Sequence, residues 1–173
     1  FNYQLNNVNW MVKTEENKRI VQFTENKLIF FPDDRIYDYT EGKFTNSENI
    51  PLLEIRGGII ADEVGKGKTI QMLSLCFLRN IPTLILVPNH LKKHWENELE
   101  KHFTEKPDVK IISFSEFQKD SCLNIRRLIV DEIHTLYSED RNSSLYDILM
   151  SIDIPFKWGL TATPITISNS IHK

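Results

Sequence analysis

Gly57-Gly58-Ile59-Ile60-Ala61-Asp62-Glu63-Val64-Gly65-Lys66-Gly67-Lys68-Thr69 runs from an apolar segment through a glycine-rich turn into helix-forming sequence. Glycines let such a loop wrap closely around a phosphate, and its amides, with the helix start behind them, present positive dipole to it. The pattern predicts that Lys68 reaches the β and γ phosphates of a nucleotide and that Thr69 holds Mg2+. Asp62, Gly65, Lys66 and Gly67 complete the expected cradle. The strict pattern G-x-x-x-x-G-K-[ST] fails at one place, because Asp62 stands at its first glycine.

About 60 residues downstream, Leu128-Ile129-Val130-Asp131-Glu132 is an apolar strand ending in two carboxylates. The carboxyl ends of parallel strands line the ligand crevice of an open α/β sheet. Asp131 is expected to hold Mg2+ through water, and Glu132 to orient and deprotonate an attacking water. Alone, the pair would read as the start of a helix. A phosphate loop upstream favours the catalytic reading.

The segments around these two motifs alternate. Apolar strands are expected at 58–61, 83–87, 109–114, 128–130 and 157–161. Helices are expected at 68–80, 89–103 and 143–152, with a short helical stretch at 116–119. Near-continuous apolar strands separated by helices predict an α/β domain, a parallel sheet covered on both faces. Upstream, residues 3–18 read as an amphipathic helix. Segments 21–23 and 28–31 read as a hairpin about a turn at 24–27, and 36–39 with 43–45 as a second extended pair. Residues 46–51 read as a polar loop, so a small β element is inserted at about 19–50, before the phosphate loop.

Composition narrows the class. The 173 residues, 40% of them hydrophobic, suit one domain with its own core. With 21 basic against 24 acidic residues, the net charge of −3 excludes a generally cationic nucleic-acid coat. Charged residues at 26% and aromatics at 10% exclude a disordered polar chain. The longest apolar run stops at Pro88, far short of a membrane span. Two cysteines are too few for a disulfide scaffold and point to a reducing interior. In the helix from Asn89, Lys92, Lys93 and Lys101 are cancelled by Glu96, Glu98 and Glu100. His90, His94, Glu98 and His102 share one helical face and mimic a zinc site, a reading subordinate to the one below. Cys76, Trp10 and Trp95 read as core or packing residues.

Together the motifs resemble the Swi/Snf-type ATPases of helicase superfamily two, in which an acidic residue at the place of Asp62 is characteristic. Tyr3-Gln4 with Val8-Asn9-Trp10-Met11 is similar to the Q motif that opens the family's ATP-binding lobe, whose glutamine reads adenine. Leu84-Ile85-Leu86-Val87-Pro88, with Leu91, Trp95, Glu98 and Lys101-His102, resembles motif Ia, and Ile112-Ser113-Phe114-Ser115 resembles motif Ib. Asp131-Glu132-Ile133-His134 resembles motif II. Leu160-Thr161-Ala162-Thr163-Pro164-Ile165 resembles motif III. The long interval from Gln4 to Gly57 is similar to the branch containing helicase-like transcription factor.

The resemblance implies a RecA-like P-loop NTPase fold, with residues 1–173 forming the N-terminal ATP-binding lobe. It implies ATP and Mg2+ as cofactors, with Gln4, Asp62, Gly65, Lys66, Gly67, Lys68 and Thr69 around the nucleotide and Thr69 and Asp131 at the metal. Lys68, Asp131 and Glu132 become catalytic, while His134, Thr161 and Thr163 couple the ATP state to DNA grip. Duplex DNA is the implied partner, met at Pro88, Asn89 and Ser113, weakly by this lobe alone. The family moves along duplex DNA and remodels bound proteins, using an arginine from a second RecA-like lobe expected beyond residue 173. No membrane is implied; the expected location is intracellular, in the nucleus or a viral or cellular DNA-processing compartment. Asn7, Lys66, His94 and Ile133 depart from the family's usual residues, and none removes a phosphate, metal or base function. Two alternatives stand beside this reading. One is a non-catalytic docking module with a vestigial nucleotide pocket; the other is an RNA-directed or strand-separating member of the superfamily.

Overall fold

The computed structural model describes residues 1–17, 19–22, 28–30, 35–38, 42–45, 52–137 and 143–164. The chain divides into two compact units, Phe1–Glu16 with Arg56–Lys173, and Asn17–Ile55. Helix α1 (Asn2–Glu16) comes first. The smaller unit follows with β1 (Arg19–Gln22), β2 (Leu28–Phe30), β3 (Ile36–Asp38), β4 (Lys43–Thr45) and β5 (Leu52–Ile55). The larger unit then continues with β6 (Gly58–Ile60), α2 (Lys68–Leu78), β7 (Thr83–Val87), α3 (Lys92–His102), β8 (Val109–Ser113), β9 (Arg127–Val130), α4 (Ser143–Ser151) and β10 (Phe156–Leu160).

In the larger unit five strands pair in the order β6-β10-β9-β7-β8, all parallel. This is the α/β, RecA-like arrangement expected. Every residue of β7 is buried, as a central strand covered on both faces requires. Its side chains alternate between two cores. Ile85 and Val87 join Met72, Leu75, Trp95 and Leu99 of α2 and α3, together with Val8 and Met11 of α1. Leu84 and Leu86 join Leu145 and Leu149 of α4, with Leu136 and Ile154. Burying each such side chain contributes about 1.5–3 kcal/mol, so packing on the sheet outweighs helix propensity in holding these helices.

At the amino end of the strands lies a buried charge cluster. Arg127 of β9 and the side chain of Glu15 at the end of α1 are both wholly inaccessible. Arg127 donates from Nε to Oε1 of Glu15 at 2.7 Å and from its second terminal nitrogen to Oε2 at 2.5 Å. Trp158 Nε1 on β10 donates to the same Oε1 at 2.8 Å. Arg79, just beyond α2, approaches Oε2 at 3.4 Å. One carboxylate thus ties α1 to α2, β9 and β10. Cys76 lies fully buried in the α1–α3 core, and burial pushes its thiol up to about 11.

The smaller unit corrects the expected hairpin. Segment β1 pairs with β5, antiparallel, with Arg19 opposite Ile55 and Gln22 opposite Leu52. Strand β2 pairs with β3 instead, and β3 with β4, in an antiparallel meander. The physical reason is closure: pairing β1 with β5 brings both ends of the insertion into one ladder, which the expected hairpin would leave apart. Strand β5, rich in leucine and isoleucine, was not anticipated. The expected turn at 24–27, the loop at 46–51 and Ile165 fall outside the described residues.

Candidate functional site

The loop between β6 and α2 is shaped by left-handed backbone at Gly65 (φ 79°) and Gly67 (φ 72°), a conformation that favours glycine. Gly67 also lies so close to Gln4 that an added Cβ would sit 2.4 Å from its Nε2. Three donors converge on the carbonyl oxygen of Lys66: Tyr3 Oη, Gln4 Nε2 and Gln71 Nε2, each at 3.1 Å. The side chain of Lys66 points instead toward Glu63, 3.8 Å away and exposed. A lysine at this position therefore does no harm, because the loop is held through its backbone.

Asp62 gains a structural explanation. Its Oδ2 accepts from Asn7 Nδ2 at 3.0 Å, and Asn7 also donates to Oε1 of Gln71 at 2.9 Å. The carboxylate thereby joins the loop to α1, and to α2 through Gln71, which is buried. Lys68 Nζ donates to the carbonyls of Asp62 at 2.6 Å and Glu63 at 3.0 Å, so its ammonium lies inside the loop's curve. Thr69 is half-buried in the first turn of α2.

The second motif stands at the carboxyl end of β9. Asp131 is buried, and both its oxygens are engaged: Oδ1 accepts the Glu132 amide at 2.9 Å and Oδ2 the Trp95 indole N–H at 2.8 Å. Glu132 adopts φ 50°, a left-handed conformation costly for a residue with a Cβ and found preferentially at functional sites. Its Oε2 lies 3.2 Å from His134 Nδ1, off the hydrogen-bonding direction, and has no hydrogen-bond partner among the described residues. His134 Nδ1 is hydrogen-bonded to Thr161 Oγ1 at 3.0 Å, and the Thr163 amide donates to that same hydroxyl at 3.0 Å. The strand ends of β9 and β10 are so connected beside the carboxylate pair. Ile133, larger than the residue usual at its place, fits because Gly159 opposes it. A Cβ on Gly159 would meet Ile133 Cδ1 at 2.7 Å.

The residues expected at nucleic acid behave less uniformly. The helix expected to begin at Asn89 starts instead as a single 3-10 turn, Asn89–Leu91, with α3 beginning at Lys92. Pro88 is buried before it, and its carbonyl accepts the Leu91 amide at 2.9 Å, the tight closure common at helix starts. Ser113 is buried, and its amide and hydroxyl both donate to Glu116 Oε2 at 2.8 Å. Asn89 and Ser115 face outward and are joined by a 3.0 Å hydrogen bond from Ser115 Oγ to Asn89 Oδ1. The short helical stretch expected at 116–119 is two 3-10 turns, Phe114–Glu116 and Lys119–Cys122. Lys92 donates to Glu116 at 2.7 Å, and this bond, followed by those from Ser113, holds the Glu116 carboxyl down at about 2.

Oxygen donors on Thr69 and Asp131 suit a hard divalent cation such as Mg2+, and each Asp131 oxygen retains acceptor capacity beyond its one bond. The SNF2-related domain model matches residues 3–121, from α1 to the second 3-10 turn after β8. The chain belongs to the SNF2-related domain family. It is a Swi/Snf-type ATPase domain of helicase superfamily two, and its relatives agree. An uncharacterised ATP-dependent helicase of Mycoplasma pneumoniae is 29% identical over 140 residues, covering 63% of this chain and 13% of that protein. Chromatin remodeling factor mit1 of Schizosaccharomyces pombe is 31% identical over 150 residues, covering 62% of this chain and 10% of that protein. Chromatin-remodeling ATPase INO80 of Aspergillus oryzae is 35% identical over 89 residues, covering 48% and 6%. This SNF2-related domain thus spans about a tenth of the length of these relatives. Among its described residues no helix is long and apolar enough to cross a membrane.

Sequence reasoning passed over Gln71, Asn7 as an asset, the bond from the Tyr3 hydroxyl to the loop, and the indole N–H of Trp95. Gln71 carried a faint signal, as a polar residue one turn after Lys68 in a helix of mostly apolar residues.

Proposed function

We propose that this SNF2-related domain is the first of two RecA-like lobes of a DNA-dependent ATPase that moves along duplex DNA and remodels protein–DNA complexes. The observation that carries the reading is the convergence of Lys68, the Asp131–Glu132 pair and the His134–Thr161 bond at the carboxyl ends of neighbouring parallel strands. The relatives named as chromatin remodelers support the choice of duplex DNA and a nuclear, or equivalent DNA-processing, location.

In this reading the phosphates of ATP enter the loop, and Lys68 exchanges its carbonyl partners for β and γ phosphate oxygens. Gln4 and α1 meet the adenine end. Thr69 and Asp131 hold Mg2+, which supplies positive charge to the phosphates. Glu132 accepts a proton from water as that water's oxygen bonds to the γ-phosphorus, and the bond from phosphorus to the bridging oxygen breaks to release ADP. His134 relays the position of Glu132 to Thr161 and so to the end of β10. The second lobe supplies an arginine, worth about 10³–10⁵-fold in rate in phosphoryl transfer. DNA backbone is met at Asn89, Ser115 and the start of α3, with steep salt dependence.

Two comparisons test this. The 173-residue chain should bind Mg·ATP weakly and hydrolyse it negligibly, with or without DNA. A form carrying the second lobe should be stimulated more by duplex DNA than by single strands or RNA. Brisk DNA-stimulated hydrolysis by the chain alone would remove the need for a second lobe. Preferential stimulation by RNA or single strands would overturn duplex translocation.

A further inference from the structure

Trp95 sits on α3, distant in sequence from both nucleotide motifs, and is wholly buried in the core shared by α1, α2 and the sheet. Bulk alone would make it a packing residue, and phenylalanine or leucine would fill much of the same space. Only an indole brings a donor, and that donor goes to Oδ2 of Asp131 at 2.8 Å. The amide of Glu132 takes the other oxygen at 2.9 Å. An aspartate carboxylate turns in a broad, soft χ2 well, so one backbone donor leaves it free to swivel. Two donors from separate elements fix it. With each oxygen spending one acceptor site on the protein, the remaining sites are directed by the geometry and not by thermal choice.

We propose that Trp95 is a positioning residue of the nucleotide site, its indole N–H holding the Asp131 carboxylate in the orientation that receives the divalent cation. This rests on the reading of Asp131 as the metal carboxylate. The helix that carries the indole also begins at the proposed DNA surface. Lys92 at its first position is tied to Glu116, and Asn89 just before it to Ser115. A shift of α3 therefore reaches Asp131 through one hydrogen bond.

The test compares the chain with Trp95→Phe and with Trp95 replaced site-specifically by benzothienylalanine, which keeps both rings and puts sulfur in place of the N–H. Mn2+ is titrated in the presence of ADP, with the free ion followed by electron paramagnetic resonance, and thermal unfolding is recorded alongside. Loss of the partner that orients a metal ligand typically weakens affinity by about 10–100-fold. That loss of Mn2+ affinity is expected in both variants, with the unfolding midpoint of the benzothienyl form little changed. A purely structural role would lower the midpoint and leave Mn2+ affinity intact. Mn2+·ADP binding equal in the wild type and the benzothienyl variant would overturn the positioning role alone. Failure of the wild type to take up Mn2+·ADP would overturn the metal reading of Asp131 and this inference with it.

Discussion

Glu132→Gln should abolish ATP turnover in the two-lobed form while sparing Mg·ATP binding. Glutamine preserves the length and shape of the side chain but cannot accept a proton from water, and a lost general base costs about 10²–10⁴-fold. Three features single Glu132 out from the other described acidic residues of the larger unit. Its backbone is held at φ 50°, against the ordinary preference of a residue with a side chain. Its Oε2 is buried without a hydrogen-bond partner among the described residues. Its neighbour, 3.2 Å away, is the histidine that bridges to Thr161. Turnover under saturating duplex DNA, measured beside equilibrium ATP binding, checks the prediction. Normal turnover in Glu132→Gln would remove Glu132 from the role of base.

The second large effect is on stability. Glu15→Ala should destabilise the larger unit by about 3–5 kcal/mol, the usual cost of stranding one member of a buried ion pair. Glu15 takes two hydrogen bonds from Arg127 and one from Trp158, and Arg127 has no access to solvent to replace them. Against a total stability of about 5–15 kcal/mol for an ordinary domain, this is a large share of the margin. The exposed pair of Lys106 and Glu100 offers the contrast, since breaking it should cost at most about 1 kcal/mol. Urea unfolding of the two variants decides the matter. A Glu15→Ala cost below that of Glu100→Ala would show that the buried cluster contributes little. The effect reaches function as well, because α1 carries Tyr3, Gln4 and Asn7 to the phosphate loop.

What the sequence made legible was local. A strand of apolar residues buried on both faces announces itself by continuity, and the residues following β6 and β9 carry their chemistry in adjacent positions. That was enough for the parallel sheet and both motifs. Long-range partners left no such trace. Glu15 and Arg127 are 112 residues apart, and each alone looks like a solvated surface charge. The indole of Trp95 reads as bulk until its acceptor, 36 residues on, is placed beside it. Strand β1 was assigned to its nearest neighbour in sequence, although closing the insertion favoured β5. Asp62 departs from the strict phosphate-loop pattern and matches the family resembled, but what its carboxylate does, accepting from Asn7, is visible only in the fold.

The proposed function requires this chain to hold the phosphates of ATP through the loop that ends in Lys68. Calorimetric titration of Mg·ATP into the 173-residue chain and into its Lys68→Ala variant decides whether it does. Binding by the wild type, with none detected in a variant whose circular dichroism is unchanged, is the result predicted. Equal binding by both, or none by the folded wild type, would contradict it.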